Sequence, residues 1–486
     1  WDHVIRESKF VKGKSMKEKS MKDIMLIMSD QHGGAYTGME DDRVRTPALM
    51  RIAGEGLYFE RCYCSAPLCV PSRMSFLSGK LPSDLNIFNN DTVLPADVPT
   101  IAHALGAAGY NTVLIGRMHF KGDEQKHGFD ERLVGDITSQ YWGTGGKERV
   151  DFGAYTGTTN RKHCLEAVGG GISPVMAYDR EVYECALRYL EREHEEPLFL
   201  VVGFYSPHFP FVAEPDTYQL YKKQFAGEMR PAAAPLRFYE DYVMECSEEK
   251  AVCCKAAYCG AVEETDRYIG RLYDAFQGRK GRRLFLYVSD HGEQLGKRGI
   301  FGKQTLYEDA VRVPFVAAGT GVPVGRRREC VSLLDISKTI LAQAGVSADW
   351  HDGREIDLSG LPDAGEQVFD GPAVIQQILD YRSEPMMAEA VVWRRYKAVR
   401  YGGTACFLYD LEDDPLEERN IAGEYPEWME AAETYFLTLP EISSCIDTEI
   451  TQRERVKQLK EWGKRKKPHE WAVMPVPEWA RHKPVE

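Results

Sequence analysis

A chain of 486 residues, 43% hydrophobic and 28% charged, has the composition of a globular protein and is too long for one ordinary core, so one large domain with a smaller one attached is expected. A formal net charge of -13 argues against a general nucleic-acid binder, although local cations can still make a pocket for a small anion. No apolar run is long enough to span a bilayer, and 12 cysteines in so long a chain are not a disulfide scaffold; buried thiols in a reducing, cytoplasmic setting are the simplest reading.

Residues 1–22 are basic and polar, lack the apolar stretch of a secretory leader and do not begin with Met; they are set aside as a tail, partly foreign to the natural chain. Ile24 to Met28 is a continuous apolar run and predicts a buried strand. Cys62, Cys64 and Cys69 form a loose cluster, but no second Cys pair or His pair completes a zinc tetrahedron. Cys69 to Lys80 predicts a helix. Pro71 is tolerated in its first turn, Gly79 is a natural stop, and Val70, Met74 and Leu77 form an apolar stripe. Cys69 and Arg73 stand at i and i+4 on one face. A helix N-terminus favours a thiolate and Arg73 adds a fixed cation, which puts a nucleophile in an anion-binding niche. A buried helix with an incidental cysteine, or the nucleophile of a cysteine hydrolase, are the alternatives.

Further along, Pro99 to Ala108 predicts a helix and Thr112 to Ile115 a strand; Tyr178 to Arg192 predicts a helix and Leu198 to Val202 a strand; Lys255 to Phe276 predicts a helix and Leu284 to Val288 a strand. Continuous apolar strands alternating with helices predict an α/β fold whose mostly parallel sheet is covered on both faces. Beyond about residue 365 the texture changes. Val374 to Leu379, Ala390 to Trp393, Tyr396 to Arg400 and Cys406 to Tyr409 read as short consecutive strands, hence an antiparallel sheet. The expected division is a large domain over 23–365 and a smaller α+β one over 366–486. The latter ends in a charged helix from Arg453 and a tail whose Trp471 and Trp479 pack either on a second subunit, giving a homo-oligomer, or on their own domain.

Ligands of parallel α/β sheets bind beyond the carboxyl ends of the strands, so the residues just after each run are informative. The four ends are Ser29-Asp30-Gln31-His32, Gly116-Arg117-Met118-His119, Ser206-Pro207-His208 and Ser289-Asp290-His291-Gly292. Singly, each is an ordinary turn or a satisfied histidine. Together they gather Asp30, Gln31, Asp290 and His291 at one edge. Two carboxylates and an amide oxygen suit one hard divalent cation such as Ca2+ or Mg2+, or Mn2+ if the imidazole also binds.

Cys69-Val70-Pro71-Ser72-Arg73, running through Ser78-Gly79-Lys80, resembles the signature of the sulfatase family of the alkaline-phosphatase-like fold. Thr46-Pro47 with Gly54-Glu55-Gly56-Leu57, Val98-Pro99-Thr100 to Gly109-Tyr110, His127-Gly128-Phe129-Asp130, Leu334-Asp335-Ile336, and Leu408-Tyr409-Asp410-Leu411 with Asp414-Pro415 are similar to further family segments, so the resemblance covers nearly the whole chain after the tail. The Asp-Gln and Asp-His pairs look most like the choline-sulfatase and phosphonate-monoesterase branch.

The resemblance implies a sulfuric ester hydrolase acting on a small-molecule or carbohydrate sulfate. Cys69 would be oxidised to formylglycine by a separate generating enzyme, and Asp30, Gln31, Asp290, His291 and the modified Cys69 would hold the metal. Asp290 would take the proton of the attacking hydroxyl, and Arg73, Arg117 and Lys303 would offset sulfuryl charge. His208 or Lys303 would protonate the departing alcohol, and His119 would take the proton that frees sulfate. Arg117 stands where most members carry Lys, which keeps the charge and changes the donor geometry. A phosphonate monoester or phosphodiester hydrolase on the same scaffold, and a non-catalytic sulfate-binding protein, are the competing readings. Substrate specificity is expected in the Gly-rich stretch from Gly143 to Pro174 and in the C-terminal domain.

Overall fold

The structure is a computed structural model and describes residues 21–144, 161–193, 195–228, 233–360, 371–403 and 405–468. Trp471, Trp479, most of the tail and part of the Gly143–Pro174 stretch lie outside the described residues. The strands in chain order are β1 (Lys22–Asp30), β2 (Leu57–Tyr63), β3 (Asn111–Gly116), β4 (Glu131–Leu133), β5 (Val168–Gly170), β6 (Leu198–Pro207), β7 (Phe211–Ala213), β8 (Arg282–Ser289), β9 (Arg312–Gly319), β10 (Gly325–Arg327), β11 (Val331–Ser332), β12 (Ala373–Tyr381), β13 (Glu384–Trp393), β14 (Tyr396–Tyr401) and β15 (Ala405–Asp410). The helices are α1 (Pro47–Gly54), α2 (Cys69–Ser78), α3 (Pro82–Leu85), α4 (Ile101–Ala107), α5 (Pro174–Leu190), α6 (Pro215–Gln224), α7 (Glu248–Gln277), α8 (Glu308–Val311), α9 (Leu333–Gln343), α10 (Pro426–Phe436) and α11 (Ile442–Lys466).

Among the described residues one sheet has nine strands in the order β10-β2-β9-β8-β1-β6-β3-β4, with β11 also paired to β2. β1 runs parallel to both of its neighbours, β6 and β8, while β9 runs antiparallel to β8 and β2. Each apolar run feeds two cores because successive side chains leave a strand on opposite faces. Ile24, Leu26 and Met28 of β1 enter one core with residues of α2, α4 and α9. Met25 and Ile27 enter the other, with residues of α1, α5 and α7. β8 divides in the same way, Leu284, Leu286 and Val288 to the first and Phe285 and Tyr287 to the second.

Helix boundaries differ from the sequence reading where polar residues carry helix. α7 begins at Glu248, seven residues before Lys255, because the Ser247 side chain accepts from the Lys250 N–H and Glu248 and Glu249 favour the positive helix start. α11 likewise begins at Ile442, well before Arg453. No helix among the described residues is long and apolar enough to cross a membrane.

The four-stranded sheet β12-β13-β14-β15 is antiparallel throughout. Ile375, Ala388 and Val399 on its inner face join the same core as β1. An ion triad also ties it down: Lys397, fully buried on β14, reaches Glu417 at 2.8 Å and Glu308 at 3.2 Å. Glu417 in turn accepts the Glu308 N–H that opens α8. Removing the cation strands two adjoining carboxylates away from water. Lys397→Met is therefore expected to cost about 3–5 kcal/mol at neutral pH. Because the stranded carboxyls favour the protonated form when folded, the deficit should shrink on acidification to pH 5. Urea unfolding midpoints at both pH values check this, and an unchanged midpoint would discard the triad as a structural tie.

Candidate active site

The cysteine helix α2 is packed end to end, with all ten residues buried. Its first N–H groups lack a side-chain cap from Leu68, and Asn90 supplies one instead, accepting from the Val70 N–H at 3.0 Å. Gly79 ends the helix in the left-handed region at φ 65°, and a Cβ there would stand 2.2 Å from the His351 ring.

The carboxyl ends of β1 and β8, which pair in register up to Ser29 and Ser289, set Asp30 and Asp290 side by side. Asp30, Cys69, Asp290 and His291 each present one ligand atom, all within 4.8 Å of one another, and all four residues are buried. The Cys69 Sγ lies 3.2 Å from His291 Nε2 and 3.7 Å from Asp30 Oδ1. His291 Nε2 lies 3.6 Å from Asp30 Oδ1 and 3.5 Å from Asp290 Oδ1. His291 Nδ1 meets the Gly292 carbonyl at 3.1 Å. A carbonyl only accepts, so Nδ1 carries the ring proton and Nε2 turns a bare lone pair to the cluster. Two carboxylates and a bare imidazole nitrogen are a donor set that fits a divalent cation. Gln31, held at φ 72°, is adjacent: its amide oxygen accepts from Lys303 Nζ at 2.5 Å and its amide nitrogen donates to Glu293.

Three cations surround the two acids. Arg73 is fully buried, donating from Nε to Asp290 at 2.8 Å and from Nη2 to Asp30 at 3.4 Å. Its Nη1 donates to the Arg117 carbonyl. The i, i+4 spacing brings Arg73 beside the cluster, but its donors are consumed by carboxylates and carbonyls, and it does not border the adjoining cavity. Arg117 pairs with Asp30 and Asp136, and its guanidinium lies over the Tyr205 ring, 4.5 Å from the centroid. Lys303 Nζ stands 3.9 Å from Asp30.

The two acids respond differently. Burial works against ionisation of Asp30, but Arg117 foremost, with Lys303 and Arg73, outweighs it and holds the carboxyl well below its ordinary range. Burial and neighbouring Asp30 push Asp290 up to about 6 against Arg73. Burial, then Asp30, also pushes the Cys69 thiol up to about 11.

The cluster opens on a cavity of about 970 Å³. Cys69, Arg117, His119, His208 and Lys303 line it on the sheet side, and Asp380 and Arg453 from the C-terminal elements line it on the other. The two histidines differ in tautomer. His119 Nδ1 meets Arg117 Nη2 at 2.9 Å. A guanidinium only donates, so Nδ1 accepts and the neutral ring keeps its proton on Nε2. That nitrogen is a donor, whereas the sequence-based role of taking a proton needs an acceptor. Burial, then Arg117, lowers the His119 pKa well below the usual value and keeps the ring neutral. His208 Nδ1 meets the Phe209 carbonyl at 2.9 Å and so carries the proton, leaving Nε2 as an acceptor.

Two positioning residues escaped the sequence reading. Asp136 accepts from Arg117 Nη1 at 2.9 Å and from the His119 N–H at 2.7 Å. It follows the short strand β4 through Val134-Gly135, the same strand-end signal used for the other four clusters. Glu293, fully buried, accepts from the Leu295 and Gly302 N–H groups and from Gln31, so it ties the Asp290-His291 loop to Lys303.

The sulfatase family model matches residues 22–346. A choline-sulfatase of Rhizobium meliloti (strain 1021) is 33% identical over 439 residues, 82% of this chain and 82% of that protein. Arylsulfatase K of Xenopus laevis is 24% identical over 91% of this chain and 88% of its own length. Among solved structures, a phosphonate monoester hydrolase of Agrobacterium radiobacter superposes with a TM-score of 0.67 at 20% identity, over 86% of this chain and 95% of that one. The fold is thus alkaline-phosphatase-like, a mixed, mostly parallel sheet with a small antiparallel sheet beside it.

The end of β6, which carries His208, is fixed by buried Asp179, whose carboxylate accepts from the Tyr205 N–H at 2.7 Å and the Ser206 N–H at 2.8 Å. Burial pushes its pKa from 3.8 up to about 6. The folded state therefore holds a proton that the unfolded chain releases. Its contribution to stability is complete below pH 3.8 and is lost as pH rises through 6. Asp179→Asn should remove this slope, so the variant gains on the wild type between about pH 4 and 7. Unfolding free energies across that window test it, and parallel curves would refute it.

Proposed function

The chain belongs to the sulfatase family, and on that premise we propose that it hydrolyses an organic sulfate ester with a nucleophile made by oxidising Cys69 to formylglycine. The observation that carries this reading is the meeting of Cys69, Asp30, Asp290 and His291 at one end of a cavity that also holds His119, His208 and Lys303. A generating enzyme for the formylglycine is the partner this reading requires. The unmodified thiol, pushed up to about 11, is neutral at pH 7, and it offers one heteroatom where a hydrated aldehyde offers two hydroxyls: one to take the sulfuryl group, one whose proton is lost to release sulfate.

Asp30, Asp290 and His291 would hold the divalent ion, with Gln31 at their side and Ca2+ the preferred identity. When bound, such an ion supplies Lewis acidity and offsets negative charge at position 69. The remaining work falls to the chain. Lys303, an ammonium beside Asp30, is the proton donor to the departing alcohol. His208 Nε2 is the acceptor for the proton lost as sulfate leaves. His119 Nε2–H donates a hydrogen bond to a sulfuryl oxygen. Arg117 orients His119 and balances Asp30, and Arg73 holds the two acids apart from one another's charge.

Choline sulfate, aryl sulfates and sugar sulfates are the substrates to screen, with a phenyl phosphonate monoester beside them. Fully oxidised protein, verified by mass at position 69, is expected to favour a sulfate ester. Cys69→Ala should lower kcat by more than about a thousandfold while the thermal midpoint holds. Turnover by Cys69→Ala near the wild-type rate would end the proposal, and a higher kcat/KM on the phosphonate would replace it with the phosphonate-hydrolase reading.

A further inference from the structure

Five lysine and arginine side chains line the cavity, Arg117, Arg161, Lys162, Lys303 and Arg453; Lys162 is exposed, and the other four differ in how their charge is met. Arg453 is paired with Asp380 at 2.6 Å and Glu449 at 2.7 Å. Asp91, also on the wall, is taken by Lys460 at 2.6 Å. Arg117 and Lys303 face Asp30. Arg161 is different. It is half-buried, and among the described residues no carboxylate pairs with it. Its Nη1 donates to the Tyr242 carbonyl at 2.8 Å, and its guanidinium lies over the Tyr242 ring, 4.7 Å from the centroid. Its aliphatic stem fills the space that a side chain at Gly302 would need, 3.3 Å from the Cβ position, one residue before Lys303. The head is thus anchored on one edge by a carbonyl and on one face by a ring, and its remaining N–H donors are left for a ligand. Burial disfavours the cation by more than Tyr242, Cys164 and the more distant Glu293 favour it, and the same burial strengthens whatever anion joins it. Asp241, the remaining acid of this wall, is exposed at the rim.

Resting on the sulfatase reading, we propose that the alcohol part of the substrate bears an oxyanion, a carboxylate or a second sulfate, which Arg161 receives while the reacting sulfate lies at Cys69. A quaternary ammonium or other cationic alcohol would meet the unpaired guanidinium with like charge and is disfavoured. Arg161 is in this sense a specificity residue of the leaving-group pocket.

The test uses fully oxidised enzyme and four phenyl sulfates carrying carboxymethyl, sulfomethyl, carbamoylmethyl or trimethylammoniomethyl groups, the methylene keeping the leaving groups similar. The expected order of kcat/KM has an anionic ester at least about tenfold above the carbamoylmethyl ester, mostly through KM, with the trimethylammoniomethyl ester last. The better of the two anionic esters tells carboxylate from sulfate. Arg161→Gln should bring the anionic-to-neutral ratio close to one, Arg161→Lys should keep part of it, and Arg161→Glu should turn preference toward the cationic ester. Ratios within one variant are independent of how much of it folds. Equal or cation-favouring rates in the wild type, or an undiminished ratio in Arg161→Gln, would overturn the proposal while leaving the sulfatase reading intact. Hydrolysis of none of the four, nor of any other sulfate ester, would remove that reading and this one with it.

Discussion

Two carboxyl groups, Asp30 and Asp290, are held side by side out of water, and the rest of the molecule is arranged around keeping them so. Burying a carboxylate without compensation is costly, and burying two in contact is more so. The chain meets this with Arg73 spanning both acids, with Arg117 and Lys303 on Asp30, and with the Gln31 and His291 N–H groups donating to Asp290 Oδ1 at 3.0 and 2.9 Å. The result is uneven: Asp30 is firmly ionised while Asp290 sits near 6. A divalent cation beside the Oδ1 atoms is the charge that would make the two alike.

The neighbours of the two acids are themselves held by a further layer. Asp136 grips Arg117 and the His119 backbone, and the Arg117 Nη2 then dictates the His119 tautomer. An arginine rather than a lysine side chain at position 117 has this consequence: a planar fork reaches Asp30, Asp136 and His119 at once, which a single ammonium could not do in the same geometry. Glu293 plays the matching part on the other side, fixing Gln31 and the Gly302-Lys303 turn. The site is an outcome of the sheet: β8, β1, β6 and β3 lie next to one another in that order, so their carboxyl ends bring four sequence-distant clusters to one edge.

This edge was legible in the sequence because each strand is a continuous apolar run and each run ends in polar residues. The register β1 to β8 then leaves little freedom in where Asp30 and Asp290 go. The cysteine helix was legible for a similar reason, since Pro71 and Gly79 mark its ends. Less legible were features set by contacts rather than by local pattern. β9 lies between β8 and β2 and runs against both, which its own composition does not announce. α7 and α11 extend through polar residues whose helicity comes from capping and packing. Histidine roles were the least accessible: a sequence gives an imidazole, and only its neighbours decide which nitrogen holds the proton.

The cavity joins the two parts of the chain in one function. Its floor belongs to the large sheet, while Asp380 and Ser383 from the β12–β13 hairpin and Arg453 from α11 form the far wall. Arg453 is fixed there by Asp380 and Glu449, and Glu449 also accepts from Asn89, one residue before Asn90, which caps the cysteine helix. The far wall is therefore joined, through the adjoining Asn89 and Asn90, to the residue that caps the cysteine helix. A change in the C-terminal elements should be felt at α2 as well as in the pocket, because Lys397, Glu308 and Glu417 lock that sheet to the loop running on from Lys303. Under the proposed mechanism such coupling gives the core shared by the two sheets a use, because a leaving-group wall that could tilt would misplace the ester relative to Cys69.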